Sequence, residues 1–146
     1  MTSTTQATIQ TSSGGKFVWI ATNPFSNPFD RKIFKSFDYG STFQDVTNLI
    51  PPTTLTFKTI QVGLSGDGRV VNIYERDNSL TPTSNIVYRS LDYGQTFTAL
   101  TFPLPSFVAT YASYGIDTSQ DGSVTNTAGR NTNPSNFAYI LSLIHI

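Results

Sequence analysis

An eight-residue phrase occurs twice, as SFDYGSTF at 36–43 and as SLDYGQTF at 90–97. Ser36, Asp38, Tyr39, Gly40, Thr42 and Phe43 return as Ser90, Asp92, Tyr93, Gly94, Thr96 and Phe97, a step of 54 from Ser36 to Ser90. Self-similarity at a period near 50 residues marks a chain built from repeated supersecondary units, each burying its apolar face against the next. The repeat therefore sets the unit length before any single strand is assigned.

A weaker phrase recurs between the strong ones: SSGG at 12–15, SGDG at 65–68 and SQDG at 119–122. Each lies between two runs rich in β-branched and aromatic residues. TIQTS and KFVWIA flank the first, TIQVGLS and RVVNIY the second, YGIDTS and SVTNTA the third. Such runs around a glycine-containing tight turn read as hairpins. No segment places apolar residues at helical spacing over ten or more positions, so no helix is expected. The strands expected are 6–12, 16–22, 31–36 and 42–47 in the first unit and 57–65, 69–75, 85–90 and 96–102 in the second. The third unit supplies 108–119, 123–128 and 136–140. The fold class is all-β.

Four antiparallel strands at this period describe a β-propeller blade. A β-sandwich also has regular turns, but has no reason to repeat a turn sequence at a fixed spacing. The phrase S-x-D-x-G-x-T-F resembles the Asp-box, or BNR repeat, of sialidase-like, sortilin-like and photosystem assembly factor-like propellers. The resemblance implies a ring of roughly six to ten blades, of which this chain holds about two and three-quarters. The layout expected is a partial propeller over 1–140, with units at about 5–48, 57–102 and 107–140. The missing C-terminal blades of the same chain would then be its first partner.

The box has a structural rationale. Asp38 and Asp92 can accept hydrogen bonds from backbone N–H groups ahead of them, as in an Asx-turn. Gly40 and Gly94 suit positive φ. Ser36, Ser90, Thr42 and Thr96 flank the turn. Phe43 and Phe97 are expected to tuck between units, and Tyr39 and Tyr93 to lie on the surface. Paired carboxylates are also the apparatus of glycoside hydrolysis. Equivalent positions in successive units lie far apart around a ring, however, and no catalytic residue is assigned.

Composition narrows the rest. Net charge is zero and charged residues make up 12% of the chain, without the basic excess of a nucleic-acid binder. There is no cysteine, and the one histidine is His145, so no metal site and no cofactor are expected. No run approaches the length of a membrane span. Residues 1–15 lack the basic start and apolar run of a secretion signal. Abundant Ser, Thr and Asn suit an extracellular or virion surface. The tail at 141–146, LSLIHI, is similar to a translated sequencing-library adaptor and is set apart from the fold; the other reading is a genuine apolar end.

In a meander the turns after first and third strands share one end. The longer connections, at 22–31, 48–56, 75–84, 102–108 and 129–135, fall at the other. Variable loops on a rigid scaffold are where binding concentrates. Asp30, Arg31, Glu75, Arg76, Asp77 and Arg130 are the candidate ligand-face residues. Arg76 and Arg130 hold equivalent positions and suit a carboxylate or sulfate; as plain loop charges they would be solvated. Phe25 and Phe29 are candidates for sugar stacking or local packing, and Trp19 for packing between units. The function expected is a non-enzymatic binding or assembly scaffold for a protein or glycan. The alternatives are a sialidase-like hydrolase with most catalytic residues elsewhere, and a viral or cell-surface adhesin module.

Overall fold

The computed structural model describes residues 5–24, 31–52, 58–77, 85–100, 111–131 and 138–144. They form three antiparallel meander sheets in chain order. Sheet 1 contains β1 (Thr5–Thr11), β2 (Val18–Pro24), β3 (Lys32–Ser36) and β4 (Gln44–Asp45). Sheet 2 contains β5 (Lys58–Leu64), β6 (Val71–Asp77), β7 (Asn85–Ser90) and β8 (Thr98–Leu100). Sheet 3 contains β9 (Tyr111–Thr118), β10 (Val124–Asn131) and β11 (Ala138–Ile144). No α-helix occurs among the described residues, and one 3₁₀ turn spans Thr47–Leu49.

The register shows the repeat in space. Val18 pairs with Ser36 in sheet 1, and Val71 pairs with Ser90 in sheet 2. The fourth strands start later than expected. Thr42 and Thr96 stay in the box turn, bound to Asp38 and Asp92, so the ladder opens only beyond Phe43 and Phe97. The β5–β6 hairpin is longer than expected at its other end, with Lys58 opposite Asp77 and Thr59 opposite Arg76. Glu75, Arg76 and Asp77 therefore lie on β6, and Arg130 lies on β10, rather than in loops. Continued ladder pairing satisfies their backbone groups, which a loop would leave to solvent. Strand β11 continues through 141–144, where Leu141 and Leu143 pair with Thr127 and Thr125.

The sheets stack through their first strands, β5 neighbouring both β1 and β9. Every residue from Val71 to Glu75 is buried, as expected for a strand with both faces covered. Between sheets 1 and 2 the core holds Trp19, Ile33, Ile60, Val62, Ile73 and Tyr88. A smaller cluster of Tyr74, Val87 and Ile116, joined by Leu100, lies between sheets 2 and 3. Trp19 is fully buried and meets Phe97 edge-on, with centroids 6.1 Å apart. Truncating a buried tryptophan costs about 3–5 kcal/mol, so this one side chain holds much of the first seam.

Main-chain bonds join the hairpin turns directly. Ser13 N–H donates to the Gly66 carbonyl at 2.9 Å, and Gly66 N–H donates to the Gln120 carbonyl at 2.8 Å. These residues are the second of each SSGG, SGDG and SQDG turn.

Candidate functional site

At one end of the sheets lie the box turns. Gly40 N–H donates to Ser36 Oγ at 2.9 Å, and Ser36 Oγ–H donates to Asp38 Oδ1 at 2.7 Å. Thr42 N–H donates to Asp38 Oδ1 at 2.9 Å, and Thr42 Oγ–H to Oδ2 at 2.6 Å. Ser90, Asp92, Gly94 and Thr96 reproduce the same bonds, with Gln95 N–H added on Asp92 Oδ1 at 3.0 Å. Both glycines have positive φ, +81° and +71°, as their place in the turn requires. Tyr39 and Tyr93 also sit at φ 60°, an unfavourable region for a residue with a Cβ. A tyrosine gives no sequence cue for that conformation. Their amides are fixed by the adjoining hairpins, Tyr39 N–H on the Lys16 carbonyl at 3.2 Å and Tyr93 N–H on the Arg69 carbonyl at 3.0 Å.

The electrostatics follow from these bonds. The Thr42 hydroxyl, then the Thr42 amide and the Ser36 hydroxyl, hold the Asp38 carboxyl down at about 2. At Asp92 burial pushes upward, but bonds from Thr96, Ser90 and the Gln95 amide outweigh it and leave that carboxyl well below its ordinary value. The Ser119 hydroxyl, then the Ser123 amide and hydroxyl, hold Asp121 of the third hairpin at about 2. A general acid at neutral pH needs a raised carboxyl; these three are shifted the other way and occupied by their own turns.

At the opposite end two candidate ligand-face residues meet. Arg31, just before β3, forms an ion pair with Glu75 of β6, linking sheets 1 and 2. Arg31 is 7% exposed and Glu75 is fully buried. Arg31 Nη2 also donates to the Ile50 carbonyl at 3.2 Å and the Pro51 carbonyl at 2.9 Å. Its guanidinium lies 5.8 Å from the centre of the Tyr88 ring. One arginine thus ties sheet 1, sheet 2 and the two residues that follow the 3₁₀ turn. Both residues, expected among the ligand-face loops, are buried in this pair. Its partners stand 44 residues apart in sequence and come together only through the stacking of sheets. Arg76, Asp77 and Arg130 occupy strand ends at this same end of the sheets. Asp30, Phe25, Phe29 and His145 lie outside the described residues.

Two further cations work at the seams and were not singled out by sequence. Lys35 Nζ donates to the Gly94 carbonyl at 3.1 Å and lies 4.7 Å from the Phe37 ring centre. Desolvation lowers its pKa, partly opposed by Asp92. Arg89, its equivalent, donates from Nη2 to the Gly122 carbonyl at 3.1 Å. Their equivalent places before Ser36 and Ser90 were the available signal. On the box end an aromatic row also runs from exposed Phe37 through half-buried Phe17 to exposed Tyr93, with Phe17 5.6 Å from Phe37 and 5.3 Å from Tyr93.

Among the described residues there is no cluster of three or more His, Cys, Asp or Glu that could hold a metal ion. No helix among them is long and apolar enough to cross a membrane. A scan of protein-family models finds no match to the chain, and a search of curated proteins finds none.

Proposed function

We propose that the chain is a stretch of an Asp-box β-propeller serving as a binding or assembly scaffold, with the connections opposite the box turns as its contact surface. The observation that carries this reading is the contrast between the two ends of the sheets. At one end Asp38 and Asp92 are occupied by their own turns. At the other, Arg31 and Glu75 form a buried clamp between the start of β3 and the far end of β6. A rigid base under variable loops is an arrangement suited to recognition. Three consecutive meanders stacked through their first strands support a propeller over a two-sheet sandwich.

The ligand class is a protein or a glycan. The test replaces the connections at 78–84 and 132–137 with Gly/Ser segments of equal length. Binding on a glycan array or to a candidate protein partner should be lost while the unfolding midpoint is kept. Retention of binding would move the contact surface elsewhere. Turnover of a fluorogenic sialoside by the protein would replace the scaffold reading with a hydrolase.

A further inference from the structure

Three rings gather where the box turns of sheets 1 and 2 meet the first hairpin. Phe17 of sheet 1 lies across Gly68 of sheet 2, where an added Cβ would come within 2.3 Å of its ring. Phe37 of the first box stands edge-on to Phe17, at 87°, and Tyr93 of the second box lies nearer to parallel, at 31°. Phe37 is 39% exposed and Tyr93 37%, so half-buried Phe17 is the floor of a step flanked by two open rings.

The next seam shows that packing does not require these rings. There Val70 takes the place of Phe17 and covers Gly122 as closely, with 2.4 Å to an added Cβ. Leu91 takes the place of Phe37. Tyr93 also carries its ring at φ 60°, a left-handed backbone that asparagine or glycine would take with less strain. Strain retained at an exposed aromatic, and apolar rings left open to solvent, both mark a recognition position.

The polar groups around the step are matched unevenly. Its acceptors are engaged: the Lys16 carbonyl by Tyr39 N–H, the Arg69 carbonyl by Tyr93 N–H, and the Gly94 carbonyl by Lys35 Nζ. Its donors are open. Lys16 Nζ lies 5.6 Å from the centre of the Phe17 ring and forms no ion pair with any described residue. In sheet 2 the equivalent Arg69 pairs with Asp67 at 3.7 Å, but glycine, Gly14, stands at that place in sheet 1. The Tyr93 hydroxyl makes no hydrogen bond to a described residue.

We infer that the step formed by Phe17, Phe37 and Tyr93 binds a proline-rich segment of a partner protein in the polyproline II conformation. Proline rings seat against tilted aromatic walls, and such a segment arrives already extended. Proline has no N–H, so the segment presents carbonyl acceptors and asks for few in return. Lys16 and Tyr93 supply the donors that those carbonyls need. A glycan brings hydroxyl donors and acceptors together and would leave its donors unmatched here. A nucleic-acid strand needs a positive surface, whereas Asp38 and Asp92 offset Lys16 and Lys35 at this end. The step lies on the box end, apart from the connections proposed above as a contact surface, and does not rest on that reading.

The test titrates fluorescein-labelled decaproline with the full chain and reads anisotropy, with cellohexaose and oligothymidine as competitors. Decaproline should bind saturably, and neither competitor should displace it. Phe37→Leu, which installs the residue of the second seam, and Tyr93→Asn should each weaken binding by roughly tenfold, the scale of one aromatic contact, while the unfolding midpoint is kept. Lys16→Gln, which retains a donor, should bind better than Lys16→Met. Phe43→Leu, exposed but off the step, should bind as the unaltered chain does. Replacing the connections at 78–84 and 132–137 should leave decaproline binding unchanged, which separates the two surfaces. Absence of saturable binding, binding unaltered in both Phe37→Leu and Tyr93→Asn, displacement by either competitor, or loss of binding in the connection variants would each overturn the inference.

Discussion

Removing the Arg31 guanidinium should be among the most damaging changes available outside the apolar core. In Arg31→Met the methionine fills much of the aliphatic volume but leaves Glu75 fully buried without its cation. It also removes the donor to the Ile50 and Pro51 carbonyls. Breaking a buried pair on one side costs about 3–5 kcal/mol, because the remaining charge stays desolvated. Glu75→Gln should cost less, about 1–3 kcal/mol, since Arg31 keeps its two carbonyl acceptors. The double variant Arg31→Met/Glu75→Leu removes both charges and should cost well below the sum of the single changes, with a coupling of about 0.5–3 kcal/mol. The assay is urea unfolding followed by fluorescence of Trp19, the one tryptophan and fully buried beside this seam. A loss below about 1 kcal/mol for Arg31→Met, or strictly additive single variants, would refute the clamp. A binding loss in Glu75→Gln at unchanged stability would instead make the pair part of the recognition surface.

Four further outcomes follow from the turns. Asp92→Ala strips the acceptor from Thr96, Gln95 and Ser90 and should cost about 1 kcal/mol by thermal melting, at the low end because water can replace part of the network. Acid titration should show a loss of stability in a defined window. Asp38 and Asp121 are held at about 2, below the ordinary carboxyl range, so their contribution is present above roughly pH 4 and fades as pH falls toward 2; unfolding unaffected by pH across that window would contradict it. Gly94→Ala should destabilise far more than Gly40→Ala in matched melts. Both share a left-handed φ, but the added Cβ at Gly94 would lie 2.3 Å from the Trp19 ring, against a nearest contact of 3.8 Å at Gly40. Tyr39→Asn should raise stability by about 0.5–1 kcal/mol by relieving left-handed strain, whereas Tyr93→Asn should gain little because it also gives up the Phe17 ring contact.

The box turns were readable because their bonds are local. Ser36, Asp38, Gly40 and Thr42 satisfy one another within seven residues, so residue type and order carry the geometry. The hairpins were readable for the same reason, and their strands came within a few residues of the expected bounds. Seam contacts were less legible. The Arg31–Glu75 pair and the Lys35–Gly94 bond join positions 44 and 59 residues apart, and nothing local marks an arginine before a strand as buried. Phe43 and Phe97 make the point within one repeat. Closing the same repeated phrase, they differ in exposure because Trp19 stands next to only one of them. The left-handed tyrosines were hidden for another reason, since the turn imposes a conformation that the residue type disfavours.

The row of main-chain bonds through Ser13, Gly66 and Gln120 gives each seam its own hydrogen-exchange clock. The Gly66 amide is tied to sheet 3, so its exchange requires sheets 2 and 3 to part even if its own hairpin stays closed. The Ser13 amide reports the parting of sheets 1 and 2 in the same way. Opening of one seam should therefore release one amide and leave the other protected, and the ratio of the two rates measures how far neighbouring sheets unfold as a single cooperative unit.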